Sequence, residues 1–87
     1  MTAIAELDLD TIVADKIVDA RGAACPGPLL EAKKNMPSVP MGGVMEVWSS
    51  DAVTKSDLAA WALKVGHESL GYREADGYDR VFIRRGK

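Results

Sequence analysis

The stretch Lys16-Ile17-Val18-Asp19-Ala20-Arg21-Gly22-Ala23-Ala24-Cys25-Pro26-Gly27-Pro28-Leu29-Leu30 changes character twice over a short span. Its β-branched opening, Lys16–Asp19, predicts a strand. Arg21-Gly22-Ala23-Ala24 then reads as a loop of small residues. From Cys25 the chain reads as a helix running to about Met36. Proline is accepted in a first helical turn, where amide hydrogens have no helical partner, but not deeper in. Leu29, Ala32, Lys33 and Met36 keep helical spacing, and the lysine stem can lie along the apolar seam. Pro37 ends the helix. A strand that hands over directly to a helix makes the first half of a crossover unit.

Downstream, Met41-Gly42-Gly43 turns the chain into a second strand at Val44–Trp48. A second helix is predicted at Lys55–Val65, where Leu58, Trp61, Ala62 and Val65 fall at i, i+3, i+4 and i+7. Thr54 followed by Asp57 resembles a capping box, and Gly66 suits the left-handed residue that closes a helix. Strands at Glu68–Glu74 and Tyr78–Arg84 flank Asp76-Gly77, a turn pair. Upstream, residues 1–15 read as a flexible lead, with Ile12 and Val13 able to join the fold, and residues 16–87 as one domain. The order β-α-β-α-β-β, with right-handed crossovers, implies a two-layer α/β sandwich in which both helices cover one face of a four-stranded mixed sheet. The other face is expected to be more polar.

At 87 residues the chain supports one core, and its 47% hydrophobic content is enough to build one. It has no apolar run of membrane-spanning length, and its start lacks the basic and apolar regions of a signal peptide. A cytoplasmic protein is the expectation. Net charge is −2, which argues against broad attraction to nucleic acid or anionic lipid. The charge is unevenly spread. Glu6, Asp8, Asp10 and Asp15 precede the first basic residue, while Arg80, Arg84, Arg85 and Lys87 crowd the end. The single cysteine excludes an internal disulfide, and with one histidine it makes no zinc ligand set, so no metal or cofactor is expected.

A lone cysteine is most often a small buried hydrophobe. Here its neighbours point elsewhere. Cys25 stands at the predicted start of a helix, between small residues and a proline-stiffened turn. A thiolate in that place faces the positive end of the helix dipole, which lowers a thiol pKa and raises its reactive fraction. Gly27 and Leu29 are the nearby amide donors, since Pro26 and Pro28 have none, and Gly27 leaves room for an approaching partner.

Asp19-Ala20-Arg21-Gly22, two residues and then Cys25-Pro26-Gly27-Pro28-Leu29-Leu30 resemble the signature of the TusA family of sulfur-carrier proteins, also called SirA-like. The likeness continues through Ser50-Asp51, Asp57-Leu58, Trp61, Gly66-His67-Glu68 and Arg80–Gly86. It implies the same two-layer sandwich, and a role for Cys25 in accepting sulfur as a persulfide, or carrying a thiosulfonate, and passing sulfur to a cysteine of a partner. It further implies a sulfurtransferase acting as a stoichiometric carrier. Cysteine desulfurases or rhodaneses would be donors and DsrE-like proteins acceptors, in tRNA thiolation, cofactor biosynthesis or sulfur oxidation. Pro26, Gly27 and Pro28 would shape the site, and Asp19, Arg21 and Lys55 are candidates for charge or docking roles. For Asp19 and Arg21 a mutual ion pair is the competing reading.

The chain departs from the family pattern in three places. Ala24 replaces a residue that is often basic or polar, Ala52 follows Asp51 where proline is common, and Ser56 precedes Asp57 where a basic residue is usual. A persulfide is anionic near neutral pH, so a helix N-terminus suits the loaded form, and the absence of a second thiol protects the cargo from reduction. The alternative is a regulatory or nucleic-acid-binding module using the basic end, against which overall acidity weighs. A thiol hydrolase would need a base aligned with Cys25, and His67 reads instead as a residue of the turn after the second helix. Trp48, Trp61, Met36, Met41 and Met45 read as core. A carrier of this kind is expected to be a monomer or weak oligomer.

Overall fold

A computed structural model describes residues 12–24 and 26–87. Four strands and two α-helices follow in the expected order: β1 (Lys16–Asp19), α1 (Gly27–Asn35), β2 (Val44–Ser49), α2 (Thr54–Val65), β3 (Glu68–Ala75) and β4 (Tyr78–Arg84). The strands lie side by side as β1-β2-β4-β3, with β1 parallel to β2 and the other two pairs antiparallel. It is a four-stranded mixed sheet, as read from the pattern of elements. β3 is parallel to β2 as well, so both helices run against β2. Their N-termini meet at the edge where β1 and β2 end, which is the edge that carries the loop before α1.

The main core lies between the helices and one sheet face. Met45, Val47, Val81 and Ile83 of the sheet pack on Ala32, Met36, Leu58 and Ala62, and all are buried. Leu29 and Trp61 pack partly buried against this cluster. Pro37 ends α1 as expected, with Met36–Ser38 tightening into a 3-10 turn. Gly66 closes α2 in the left-handed region (φ 92°), where a β-carbon is disfavoured.

The local readings needed four corrections. α1 begins at Gly27, with Pro26 as its flanking residue and no side-chain cap. The capping box of α2 does not form. Thr54 lies inside the helix, and its hydroxyl shares a buried 2.8 Å hydrogen bond with Ser49, while Val53 flanks the helix. Met41 is 65% exposed, because it sits on the turn before β2. Trp48 faces away from the helices, since strand alternation puts it on the side of Val44 and Glu46, opposite Met45 and Val47.

That second sheet face carries ion pairs, among them Asp19–Arg21, Glu46–Arg80 and Glu68–Arg84. It is polar, as expected, but not uniformly so. Val44 and the fully buried Phe82 form a second apolar cluster there, with Ile12 and Leu70 packed against it. Asp15 is also tied in. Its amide donates to the Val44 carbonyl (2.8 Å), and its carboxylate accepts from the Val44 amide (2.9 Å). The rest of the expected flexible lead, residues 1–11, lies outside the described residues.

Candidate functional site

The loop between β1 and α1 is pinned on both sides. The Ala20 amide donates to the Trp48 carbonyl (2.8 Å), and the Gly22 amide to the Ser50 hydroxyl (2.9 Å). Within the loop, Ala23 N–H reaches the Ala20 carbonyl (3.2 Å) and Gly27 N–H the Ala24 carbonyl (2.7 Å). Cys25 itself lies outside the described residues, but the residues on either side of it are held. The Gly27 amide, expected as a donor to the sulfur, is engaged with Ala24 instead. A β-carbon on Gly27 would come to 3.0 Å from that of Ala23, so glycine at this position also allows the loop to close on itself.

Arg21 makes a two-pronged ion pair with Asp19, from Nε at 2.8 Å and a terminal nitrogen at 2.7 Å, and its backbone amide adds a third bond. These bonds hold the Asp19 carboxyl down to about 2 and raise the Arg21 guanidinium above its ordinary value. The guanidinium lies 4.8 Å from the ring centroid of Trp48 and 4.9 Å from that of Tyr78. Trp48 is in turn fixed by Glu46, whose Oε2 accepts from the indole N–H (2.6 Å) and from Arg80 Nε (2.8 Å). The competing reading of Asp19 and Arg21, a mutual ion pair, is the geometry present. Asp19 therefore presents a neutralised pair to the loop. Nor does α1 set a negative charge against its own N-terminus, since its first turn contains no acidic residue and its last turn holds Lys33 and Lys34.

Lys55 is not brought to this loop. Its ammonium bonds Asp79 (3.2 Å) and the Ala52 carbonyl (2.9 Å) and lies 5.1 Å from the Tyr72 ring, on the helix side of the sheet. The turn before α2, where Ala52 stands at the position at which proline is common, is organised by Asp51. Its Oδ1 accepts from Val53 N–H, and its amide donates to Ser49. The supports that sequence reasoning missed are Ser50, Trp48 and Tyr78. Trp48 is revealed by the parallel register that sets it beside Asp19, Tyr78 by the β2–β4 pairing, and Ser50 by its bond to Gly22.

His67 belongs to the opposite end of the sheet. Its Nδ1 accepts from the Gly86 amide (3.0 Å), and its ring meets the edge of Trp61 at 5.3 Å. Burial, with Arg85 and Lys87 nearby, lowers its pKa below the ordinary 6.5. A histidine kept neutral by the fold stabilises it fully above about pH 6.5, and that contribution is lost as pH falls through the folded value. The urea midpoint is expected to drop as pH falls below about 6.5, and the drop to flatten in His67→Gln, whose amide oxygen can still accept from Gly86. An unchanged slope in that variant would contradict this assignment.

A four-stranded mixed sheet with two helices on one face, and a held loop leading into the first helix, defines a class of small two-layer α/β domains. The comparisons narrow it. The family model described as sulfurtransferase TusA matches residues 16–85, and the chain belongs to that family. A relative in Archaeoglobus fulgidus is 41% identical over 69 residues, which span 79% of this chain and 94% of that one. YrkF of Bacillus subtilis is 40% identical over 70 residues, 80% of this chain but only 38% of its own length. Both bear provisional sulfur-carrier names. Among solved structures, a SirA-like protein from Desulfitobacterium hafniense superposes with a TM-score of 0.71 at 31% identity, covering 83% of this chain and 99% of that one.

Proposed function

We propose that this protein carries sulfur on Cys25. Its thiolate attacks the outer sulfur of a donor's persulfide, forming a new S–S bond as the donor's S–S bond breaks and its thiolate leaves. A thiolate of an acceptor protein then attacks the outer sulfur on Cys25 and releases the Cys25 thiolate. Two-electron bond exchange balances both steps without an external oxidant. Membership of the TusA family across residues 16–85 is the observation that carries this reading. Three features support it: the loop held by Trp48 and Ser50, the neutralised Asp19–Arg21 pair, and a helix whose first turn adds no negative charge. The first and last of these favour an anionic sulfur held ready at one place.

The same reading assigns donor and acceptor proteins as partners. A cleft of about 350 Å³ runs between α1 and α2, lined by Leu29, Lys33, Asp57, Trp61 and Lys64. No helix among the described residues is long and apolar enough to cross a membrane.

The test is intact-mass measurement after incubation with polysulfide, thiosulfate or a loaded cysteine desulfurase. A reductant-sensitive gain of whole sulfur atoms is the expected result; with thiosulfate, sulfite leaves as the sulfane sulfur is transferred. A protein with a free thiol that stays unmodified by all three donors would overturn the carrier reading.

A further inference from the structure

β3 forms one edge of the sheet, and among the described residues nothing pairs with its outer side. Between this edge and α2 runs an apolar groove of about 360 Å³, lined by Ser56, Ala59, Ser69, Tyr72 and Val81. It continues past Ala59 and Ser69 to Leu63, which is 83% exposed.

We propose that this edge and groove bind a second copy of the same chain, β3 against β3, about a two-fold axis. Strand pairing supplies the argument. β3 carries one extra residue between Ser69 and Gly71 relative to β4. In a regular strand Glu68 and Arg73 point to opposite faces. With the extra residue both lie on the face away from the helices, while Ser69 and Tyr72 share the helix face. An antiparallel pairing centred on the Leu70–Gly71 bulge therefore sets Glu68 opposite the second copy's Arg73, and Ser69 opposite the second copy's Tyr72. Symmetry repeats each pair.

The match is one of charge and of size. Two Glu–Arg pairs form on one face, each Glu68 using one carboxylate oxygen across the axis and keeping Arg84 of its own chain on the other. On the other, each 40% exposed Tyr72 ring comes beside the small Ser69 and Ala59 of the opposite groove. Each α2 packs over the β3–β4 pair. Two strands spaced at about 4.8 Å then bring the two α2 helices to within roughly 10 Å, a normal helix-packing distance, with Leu63 between them. Bulges and charges often guard an edge against pairing. Here they produce a pattern complementary to itself.

The test is sedimentation equilibrium of the full chain under reductant, so that Cys25 cannot cross-link, over about 10 μM to 1 mM. Wild type is expected to dimerise in this range. Glu68→Arg and Arg73→Glu, each alone, are expected to dimerise at least about tenfold more weakly, and their equimolar mixture to recover to within about threefold of wild type. Among the dimers the two variants can form, only the mixed one opposes unlike charges at both pairs. Leu63→Glu, at a surface site that leaves folding intact, is expected to give monomer. A wild type that stays monomeric to about 1 mM, or a mixture no tighter than its parents, overturns the proposal. None of these readings involves sulfur loading, so the proposal and the carrier reading fail separately.

Discussion

Changing Cys25 to serine is expected to abolish sulfur loading outright while leaving the unfolding midpoint unchanged. A serine hydroxyl is not ionised near neutral pH and does not displace a thiolate from sulfur, whereas a thiolate does so readily. The chain has no other thiol, so no second residue can take over the cargo. The loss should be complete within the sensitivity of intact-mass detection with each of the three donors. Stability should not follow it, because the bonds that hold the loop come from Ala20, Gly22, Trp48 and Ser50. Loading that survives in Cys25→Ser would show that sulfur resides elsewhere. Loss of loading together with unfolding would show only that the site had collapsed, which a circular-dichroism melt of the same sample distinguishes.

Phe82→Ala is expected to be the most damaging single change to the fold. Phe82 is fully buried on the sheet face opposite the helices, packed with Val44, Leu70 and Ile12, and the Arg80 guanidinium lies 5.4 Å from its ring. Truncating a buried phenylalanine costs about 3–5 kcal/mol. A domain of this size holds roughly 4–13 kcal/mol in total, so the loss removes a large share of the stability. Tm should fall by roughly 15–30 °C. Leu63→Ala, on an exposed position of α2, is the natural control and should move stability by less than about 0.5 kcal/mol in the monomer. A Phe82→Ala midpoint close to wild type in urea would mean that this face contributes little.

The elements that could be read from sequence were those marked by a residue with a steric reason to be there. Pro28 near its start and Pro37 after its end bracket α1, Gly66 closes α2, and Asp76-Gly77 makes the β3–β4 turn. The layer order followed, because two amphipathic helices between strands have few ways to cover a sheet. What stayed hidden depended on which residues lie opposite one another. Val44, Met45, Val47 and Trp48 are all apolar, so the strand alone does not say which face the helices take, and only Glu46 hinted at it. Thr54 has the composition of a cap, yet its hydroxyl goes to Ser49, a contact set by tertiary packing. The bulge in β3 has no signature apart from Gly71. At the candidate site, the Asp19–Arg21 pair was legible from local spacing. The aromatic support under Arg21 was not, because Trp48 and Tyr78 reach it through two different strand pairings.

Both ends of the folded unit leave from the same pole. Asp15 bonds Val44 at the start of β2, and after β4 the chain is held there by Arg85, whose backbone pairs with Gly42 and Gly43 and whose guanidinium reaches the Val39 carbonyl. The loop that bears the thiol is at the other pole. A linker that leaves the folded unit near Asp15 or after Arg85 therefore starts from the pole opposite the β1–α1 loop, like a cord fixed to the back of a plug. The longer Bacillus relative, in which the matching stretch is a minority of the chain, is an arrangement of the kind this polarity permits.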